Sequence, residues 1–217
     1  FMSVSIIIPS YNEYPNLTIL IDEINKNLKN KLKYEIIIVD DCSLDNTVEL
    51  FFQEKFINCS LIQNKKNHGQ SYSILKGIKK AKFQTIITLD ADLQNNPIDI
   101  LKLYKIYNAN EKLKLVGGIR LNRKDKLIKI LSSRVANFIR SLVLNDNCSD
   151  TGCALKVFDR DIFLTFPFFN GIHRFLPAFF KGYDYQTLFV NVDHRARMHG
   201  VSKYGTVNRL FRGIIDI

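Results

Sequence analysis

No GxxxxGK[ST] loop occurs in this chain and no GxGxxG follows its first apolar run, which disfavours a P-loop ATPase and an NAD-dependent dehydrogenase. The cysteines, Cys42, Cys59, Cys148 and Cys153, form no CxxC pair and have no histidine partners at zinc spacing. Neither a metal knuckle nor a disulfide scaffold is expected, and a reducing cytosol suits them. No run of about 18 apolar residues exists, so no segment reads as a membrane-spanning helix. The residues after Phe1-Met2 lack the basic region and apolar stretch of a signal peptide, and export is not expected. Neither an RNA-binding aromatic motif nor a zinc finger is present, so nucleic acid is not an expected partner.

What the chain has in excess is positive charge: 31 lysines and arginines against 21 acidic residues, a formal +10. Charge of this sign suits an anionic membrane or a phosphorylated substrate, and composition alone does not choose between them. The basic residues thicken along Arg120, Arg123, Lys124, Lys126, Lys129, Arg134 and Arg140, and again from Arg195 to Arg212. They do not concentrate on one recognition helix. For any single lysine a solvated surface face is an equally good account.

Along the first half, strand and helix patterns alternate. Residues 5–9 (SIIIP) and 35–39 (EIIIV) are continuous apolar runs rich in β-branched residues, as strands buried on both faces of a parallel sheet should be. After the first, Leu17, Leu20, Ile21, Ile24 and Leu28 recur at helical spacing with Pro15 near the start. After the second, Asp45 is placed to cap a helix over residues 47–52. Leu61-Ile62 reads as a short third strand before a helix carrying Tyr72, Leu75 and Ile78, and residues 85–89 (TIITL) as a fourth before Pro97 opens another helix. The expected architecture is one α/β domain built on an open, mostly parallel sheet, with a C-terminal extension; ligands of such sheets lie at the carboxyl ends of the strands.

Those ends carry PSYNE (9–13), DDCSLD (40–45) and DADLQ (90–94). Carboxylates gathered on one rim repel each other unless a cation or hydrogen-bond donors neutralise them, which argues for a divalent metal with a phosphate ligand. Asp90 and Asp92 stand just past a strand end, where the turning backbone lets both approach one Mg²⁺ or Mn²⁺. An Asp-x-Asp alone is a weak signal, since acidic residues favour turns anyway. His68, His173, His194 and His199 are read as structural residues or phosphate contacts rather than metal ligands.

Taken together, PSYNE (9–13), VDDCSLD (39–45), NHGQSYSILKGI (67–78) and DADLQ (90–94) resemble the family 2 inverting glycosyltransferases of GT-A fold typified by dolichol-phosphate mannose synthase. GGIR (117–120), SSRVANF (132–138), SDTGCALKVFDR (149–160), GIHRFLPAFF (171–180) and VDHRARMHGVSKYG (192–205) resemble its polyprenyl-phosphate branch. The resemblance implies a Rossmann-like sheet flanked by helices, with a C-terminal extension facing acceptor and membrane. It implies that Pro9, Tyr11, Glu13, Val39 and Asp41 hold the nucleoside of a GDP- or UDP-sugar, with Ala91 also at the donor. By the same token Asp90, Asp92 and Gln94 hold metal and diphosphate, and Arg197 and Lys203 close over the phosphates as a loop.

Arg120 and Arg134 match a pair that binds an acceptor lipid phosphate. Such a phosphate is largely dianionic at neutral pH and needs no protein base. If the acceptor were instead a saccharide hydroxyl, a base would be required, and Asp150 is placed for it. The chain is expected to divide into a donor half (3–115), an acceptor half of the same domain (116–205) and a juxtamembrane segment (206–217). The expected location is the cytoplasm, at the inner face of a membrane. The segment 163–180 carries seven phenylalanines and few charges, which suits either core packing or a surface that meets lipid; a partial interface helix is the favoured expectation, with core packing as the even alternative.

Overall fold

The computed structural model describes residues 3–121, 146 and 148–196. In its first half β1 (Ser3–Ser10), β2 (Lys33–Asp40), β3 (Cys59–Gln63) and β4 (Thr85–Thr88) alternate with α1 (Tyr14–Leu28), α2 (Thr47–Gln53) and α3 (Gln70–Lys80). There follow α4 (Ile98–Asn108), β5 (Leu113–Arg120), β6 (Lys156–Asp159), α5 (Arg160–Thr165), α6 (Ile172–Gly182) and β7 (Gln186–Val192). The strands form one sheet in the order β3-β2-β1-β4-β6-β5-β7. Among the described strands only β6 runs against its neighbours, β4 and β5. The sheet is continuous across residue 115, because β5 spans it.

The isoleucine runs explain the centre. Side chains alternate across a strand, so Val4, Ile6 and Ile8 pack with Leu17, Leu20, Ile21 and Ile24 of α1 on one face. Ile7, Ile37 and Val39 meet Ile74 and Ile78 of α3 on the other. A strand covered on both sides needs apolar residues at every position, which is why β1 and β2 show no polar alternation. Helix α3 lies hard against β1: a Cβ on Gly77 would stand 2.6 Å from Ile7 Cγ2. Before α2, Asp45 accepts from Thr47 N at 3.1 Å and so ties down a donor at the helix start.

The expectation for residues 163–180 is corrected. The segment divides into α5 and α6, and Phe163, Phe166, Ile172, Phe175, Leu176 and Phe180 are buried. All but Phe175 belong to the cluster that covers the second face of the sheet beneath β6, β5 and β7, with Phe166 meeting Phe180 edge-on at 5.1 Å. An apolar face of this width is equally the face a sheet requires as cover, and the sheet takes it. Among the described residues no helix is long and apolar enough to cross a membrane.

Candidate active site

The carboxyl ends of β1, β2 and β4 open onto one rim, and the chain leaves each in an uncommon conformation. Asn12, Cys42 and Leu93 have φ of +52°, +63° and +62°. A left-handed Leu, fully buried at that, persists only where its surroundings fix it. The first two loops are stitched together: Ser43 Oγ accepts from Asn12 N at 2.8 Å, and Asn12 Oδ1 accepts from Leu44 N at 2.7 Å.

The acidic residues of this rim divide into two kinds. Asp40 is fully buried and accepts from Ser43 N at 3.1 Å and from the Ser43 hydroxyl. Asp41 accepts from His68 N at 2.9 Å, Gly69 N at 2.7 Å and Asn64 Nδ2 at 2.7 Å, anchoring the loop that enters α3. Three protein donors occupy most of the acceptor capacity of a carboxylate. Protein N–H and O–H groups, not an ion, therefore compensate Asp40 and Asp41. Glu13 lies just before α1, buried, and accepts from Asn16 Nδ2 at 2.5 Å. Val39 is fully buried at the end of β2, while Pro9 and Tyr11 are half-buried at the end of β1.

Asp90 and Asp92 follow β4 on either side of the buried Ala91. Gln70 Nε2, at the head of α3, donates to Asp90 Oδ1 at 2.8 Å, and Gln94 N donates to Asp92 Oδ1 at 3.2 Å. Gln94 is in turn joined to the segment after β7: its carbonyl accepts from Arg195 N at 2.8 Å, and Asn95 bridges His194. Arg195 reaches Glu23 of α1 with both contacts at 2.9 Å, and Asn96 at 2.7 Å. The chain that continues to residue 197 thus starts from a fixed point beside Gln94. Among the described residues no three His, Cys, Asp or Glu side chains gather as a cage for an ion.

At the end of β5, Arg120 grips Asp150: Nε meets Oδ2 at 2.7 Å and Nη2 meets Oδ1 at 2.6 Å. Burial works to lower the basicity of Arg120, but the hydrogen bond and charge of Asp150 outweigh it and hold the guanidinium above its ordinary value. Asp90 adds to the same field. Gly152 leaves room for the pair, since a Cβ there would stand 2.9 Å from Arg120 Nη2.

Lys156, to which the sequence assigned no role, and His173, expected to be structural or a phosphate contact, also come to the site. Lys156, on β6, is buried and donates to the carbonyls of Thr151, at 3.2 Å, and Cys153. Burial lowers its pKa, while Cys153, Cys148, Asp150 and Asp90 act the other way. His173, on α6, contacts Ser71 Oγ through Nδ1 at 2.7 Å. Burial first, then the charges of Arg174 and Lys156, push its pKa down to about 3. The available signal was a charge inside an apolar strand, Leu155-Lys156-Val157-Phe158. Of the sequence-derived set, the structure brings Asp90, Arg120 and Asp150 into one electrostatic neighbourhood. Arg134, Arg197 and Lys203 lie outside the described residues.

The chain has close relatives. Dodecaprenyl-phosphate galacturonate synthase of Rhizobium johnstonii is 31% identical over 223 residues, covering 100% of this chain and 65% of that protein. Undecaprenyl-phosphate 4-deoxy-4-formamido-L-arabinose transferase of Yersinia pestis is 34% identical over 218 residues, covering 99% and 66%. The chain thus spans slightly less than two thirds of the length of these relatives. In fold it is similar to glucosyl-3-phosphoglycerate synthase of Mycobacterium tuberculosis, solved with Mn²⁺, UDP and glucosyl-3-phosphoglycerate, at 14% identity and a TM-score of 0.76 over 99% of this chain and 79% of that one. Mannosyl-3-phosphoglycerate synthase of Rubrobacter xylanophilus matches with a TM-score of 0.75 at 15% identity, over 99% of this chain and 72% of that one. These likenesses show the GT-A type of α/β fold. With residues 5–165 also matching the profile of that family, the chain belongs to glycosyl transferase family 2.

Proposed function

We propose that the protein transfers a sugar from a nucleotide-sugar donor to a polyprenyl phosphate with inversion at the anomeric carbon. The observation that carries this reading is the Arg120–Asp150 pair. Both oxygens of Asp150, the candidate base, are engaged by a guanidinium, which favours an acceptor that arrives as its own nucleophile. A phosphate monoester with a second pKa of about 6 is such an acceptor. The names of the two curated relatives, both polyprenyl-phosphate enzymes, support the same choice.

In this account Pro9, Tyr11, Glu13, Val39 and Asp41 frame the nucleoside, Asp41 chiefly by ordering the loops around it. Asp90, Asp92 and Gln94 form an all-oxygen donor set that fits Mg²⁺ or Mn²⁺, ions that take one or two carboxylates and keep places for substrate phosphates. When bound, such an ion would neutralise charge on the diphosphate leaving group. Arg120, aimed by Asp150, and Arg134 clasp the acceptor phosphate and orient it. A phosphate oxygen then forms the new bond to the anomeric carbon from the face opposite the diphosphate, whose oxygen departs with the old bonding pair. Arg197 and Lys203 close over the donor phosphates. The acceptor is a lipid, so the work is done at a membrane surface, on its cytoplasmic side. Incubation with radiolabelled UDP- or GDP-sugar, Mn²⁺ and a short polyprenyl phosphate tests the proposal. Label should pass into the solvent-extractable lipid and stop doing so in EDTA; label found only in water-soluble glycan would contradict it.

A further inference from the structure

Beside the donor rim, between α3, β4, β6 and α6, lies a narrow pocket whose volume of ≈ 10 Å³ admits one water-sized group. Gln70, Asp90, Lys156 and His173 stand in its wall. None of the roles assigned so far uses His173.

The hydrogen bonds around His173 favour one tautomer. Gly171 N donates to Ser71 Oγ at 2.8 Å, a bond that takes a lone pair of the hydroxyl and leaves its proton. Ser71 is fully buried, and the acceptor it meets among the described residues is His173 Nδ1, at 2.7 Å. Directing its proton at Nδ1 satisfies the buried Ser71 hydroxyl in full, and in that arrangement the neutral ring carries its own proton on Nε2, across the ring from the anchored side. The burial and the cationic neighbours that push the pKa down to about 3 keep the ring neutral at ordinary pH. The result is an uncharged N–H donor on a ring anchored at Nδ1, in the wall of a pocket that Asp90 also lines.

A space this narrow suits a small neutral group better than a hydrated phosphate. A single hydroxyl is such a group, and of the two hydroxyl-bearing groups that flank a donor's diphosphate, ribose and sugar, the sugar is the one toward β6 and α6, away from the β1 and β2 ends that frame the nucleoside. We propose that this pocket seats one hydroxyl of the transferred sugar, with His173 Nε2–H donating to it, and that it selects among sugars by that hydroxyl. The inference rests on the donor reading above. A partly buried donor left without a partner disfavours a sugar that lacks the hydroxyl, which is how such a contact discriminates.

The test uses the UDP- or GDP-hexose that the wild-type enzyme turns over best, the monodeoxy analogues of that donor, and the matching nucleoside diphosphate as a sugarless competitor. His173→Phe keeps the ring and removes the N–H; His173→Gln returns an amide N–H near the place of Nε2. In His173→Phe, kcat/KM for the parent donor should fall about tenfold, the value of one hydrogen bond to a neutral group. The inhibition constant of the nucleoside diphosphate should stay within about twofold of wild type. One monodeoxy donor should lose nothing further in the variant, and His173→Gln should recover most of the activity. Equal weakening of the nucleoside diphosphate would show that the ring merely holds the fold, and an equal loss with every deoxy donor would show that it touches no hydroxyl; either overturns the proposal. A wild-type enzyme that binds nucleoside diphosphate but transfers no sugar from any of these donors would instead overturn the donor reading, and the pocket assignment with it.

Discussion

Arg120 and Asp150, thirty residues apart in sequence, meet as a two-pronged ion pair at 2.6 and 2.7 Å, with the backbone N–H of Arg120 a third donor to the same carboxylate at 3.1 Å. Their side chains are 15% and 7% exposed, so water screens the pair little. A planar fork and a carboxylate match; a lysine ammonium is a point charge and cannot hold both oxygens. Arg120→Lys should therefore lower kcat/KM for the acceptor by about 10- to 100-fold, since hydrogen bonds to charged groups contribute roughly 1.5–3 kcal/mol. Donor KM should hardly move. Gly152→Ala, which presses on the same guanidinium, should act in the same direction. A lysine variant with wild-type acceptor kinetics would remove Arg120 from the acceptor site.

The second prediction concerns pH. If the acceptor phosphate supplies its own nucleophile, the acid limb of kcat/KM follows the second ionisation of that phosphate, at about pH 6. Asp150→Asn should lower the rate by loosening Arg120 and leave the limb in place. A pH–rate profile in which the variant remains active but has lost the acid limb would make Asp150 the base, and a saccharide hydroxyl the better acceptor.

Asp92→Asn should abolish turnover and remove the metal-dependent part of donor binding while the fold persists, because Asn keeps the size of the buried Asp92 side chain, which stands past the end of β4 and outside the hydrophobic clusters. Thermal shift with UDP, with and without Mn²⁺, reads this directly. A full Mn²⁺-dependent shift in the variant would exclude Asp92 from the ion.

These tests bear unevenly on what could be read without the fold. Residues 5–9 and 35–39 had to be buried strands, since nothing else accommodates unbroken β-branched runs at that length, and DADLQ at the end of a third run marked the rim. The antiparallel β6 was not legible: it has four residues, and Lys156 interrupts its apolar pattern while its ammonium turns back to two carbonyls. Sequence named Arg120 and Asp150 for separate tasks, because a pairing between a strand end and a turn thirty residues on leaves no periodic trace. Asp40 and Asp41 looked like part of an ion site for the reason that the N–H groups compensating them belong to loops whose shape only the fold supplies. For residues 163–180 hydrophobicity was legible, but its partner, sheet or lipid, was not.

His173 gives a prediction about stability. Its pKa of about 3 in the fold lies below the value of about 6.5 expected in the unfolded chain. Between those values the unfolded chain binds a proton that the fold refuses. The stability that neutral His173 contributes is thus complete above pH 6.5 or so and is lost as pH falls toward 3, at up to about 1.4 kcal/mol per pH unit. Urea midpoints at a series of pH values from neutral down to acid should fall more steeply for the wild type than for His173→Gln. Parallel curves would mean that the ring is not held neutral.

The most direct measurement of the central claim is the structure of the product. After reaction of an α-linked nucleotide-sugar with a short polyprenyl phosphate, phosphorus and proton NMR of the extracted lipid report both the attachment atom and the anomeric configuration. The account predicts a sugar joined through its anomeric carbon to the lipid phosphate as a phosphodiester, with β configuration. A retained α linkage, or a sugar attached to a carbohydrate hydroxyl while the lipid phosphate stays unmodified, would contradict it.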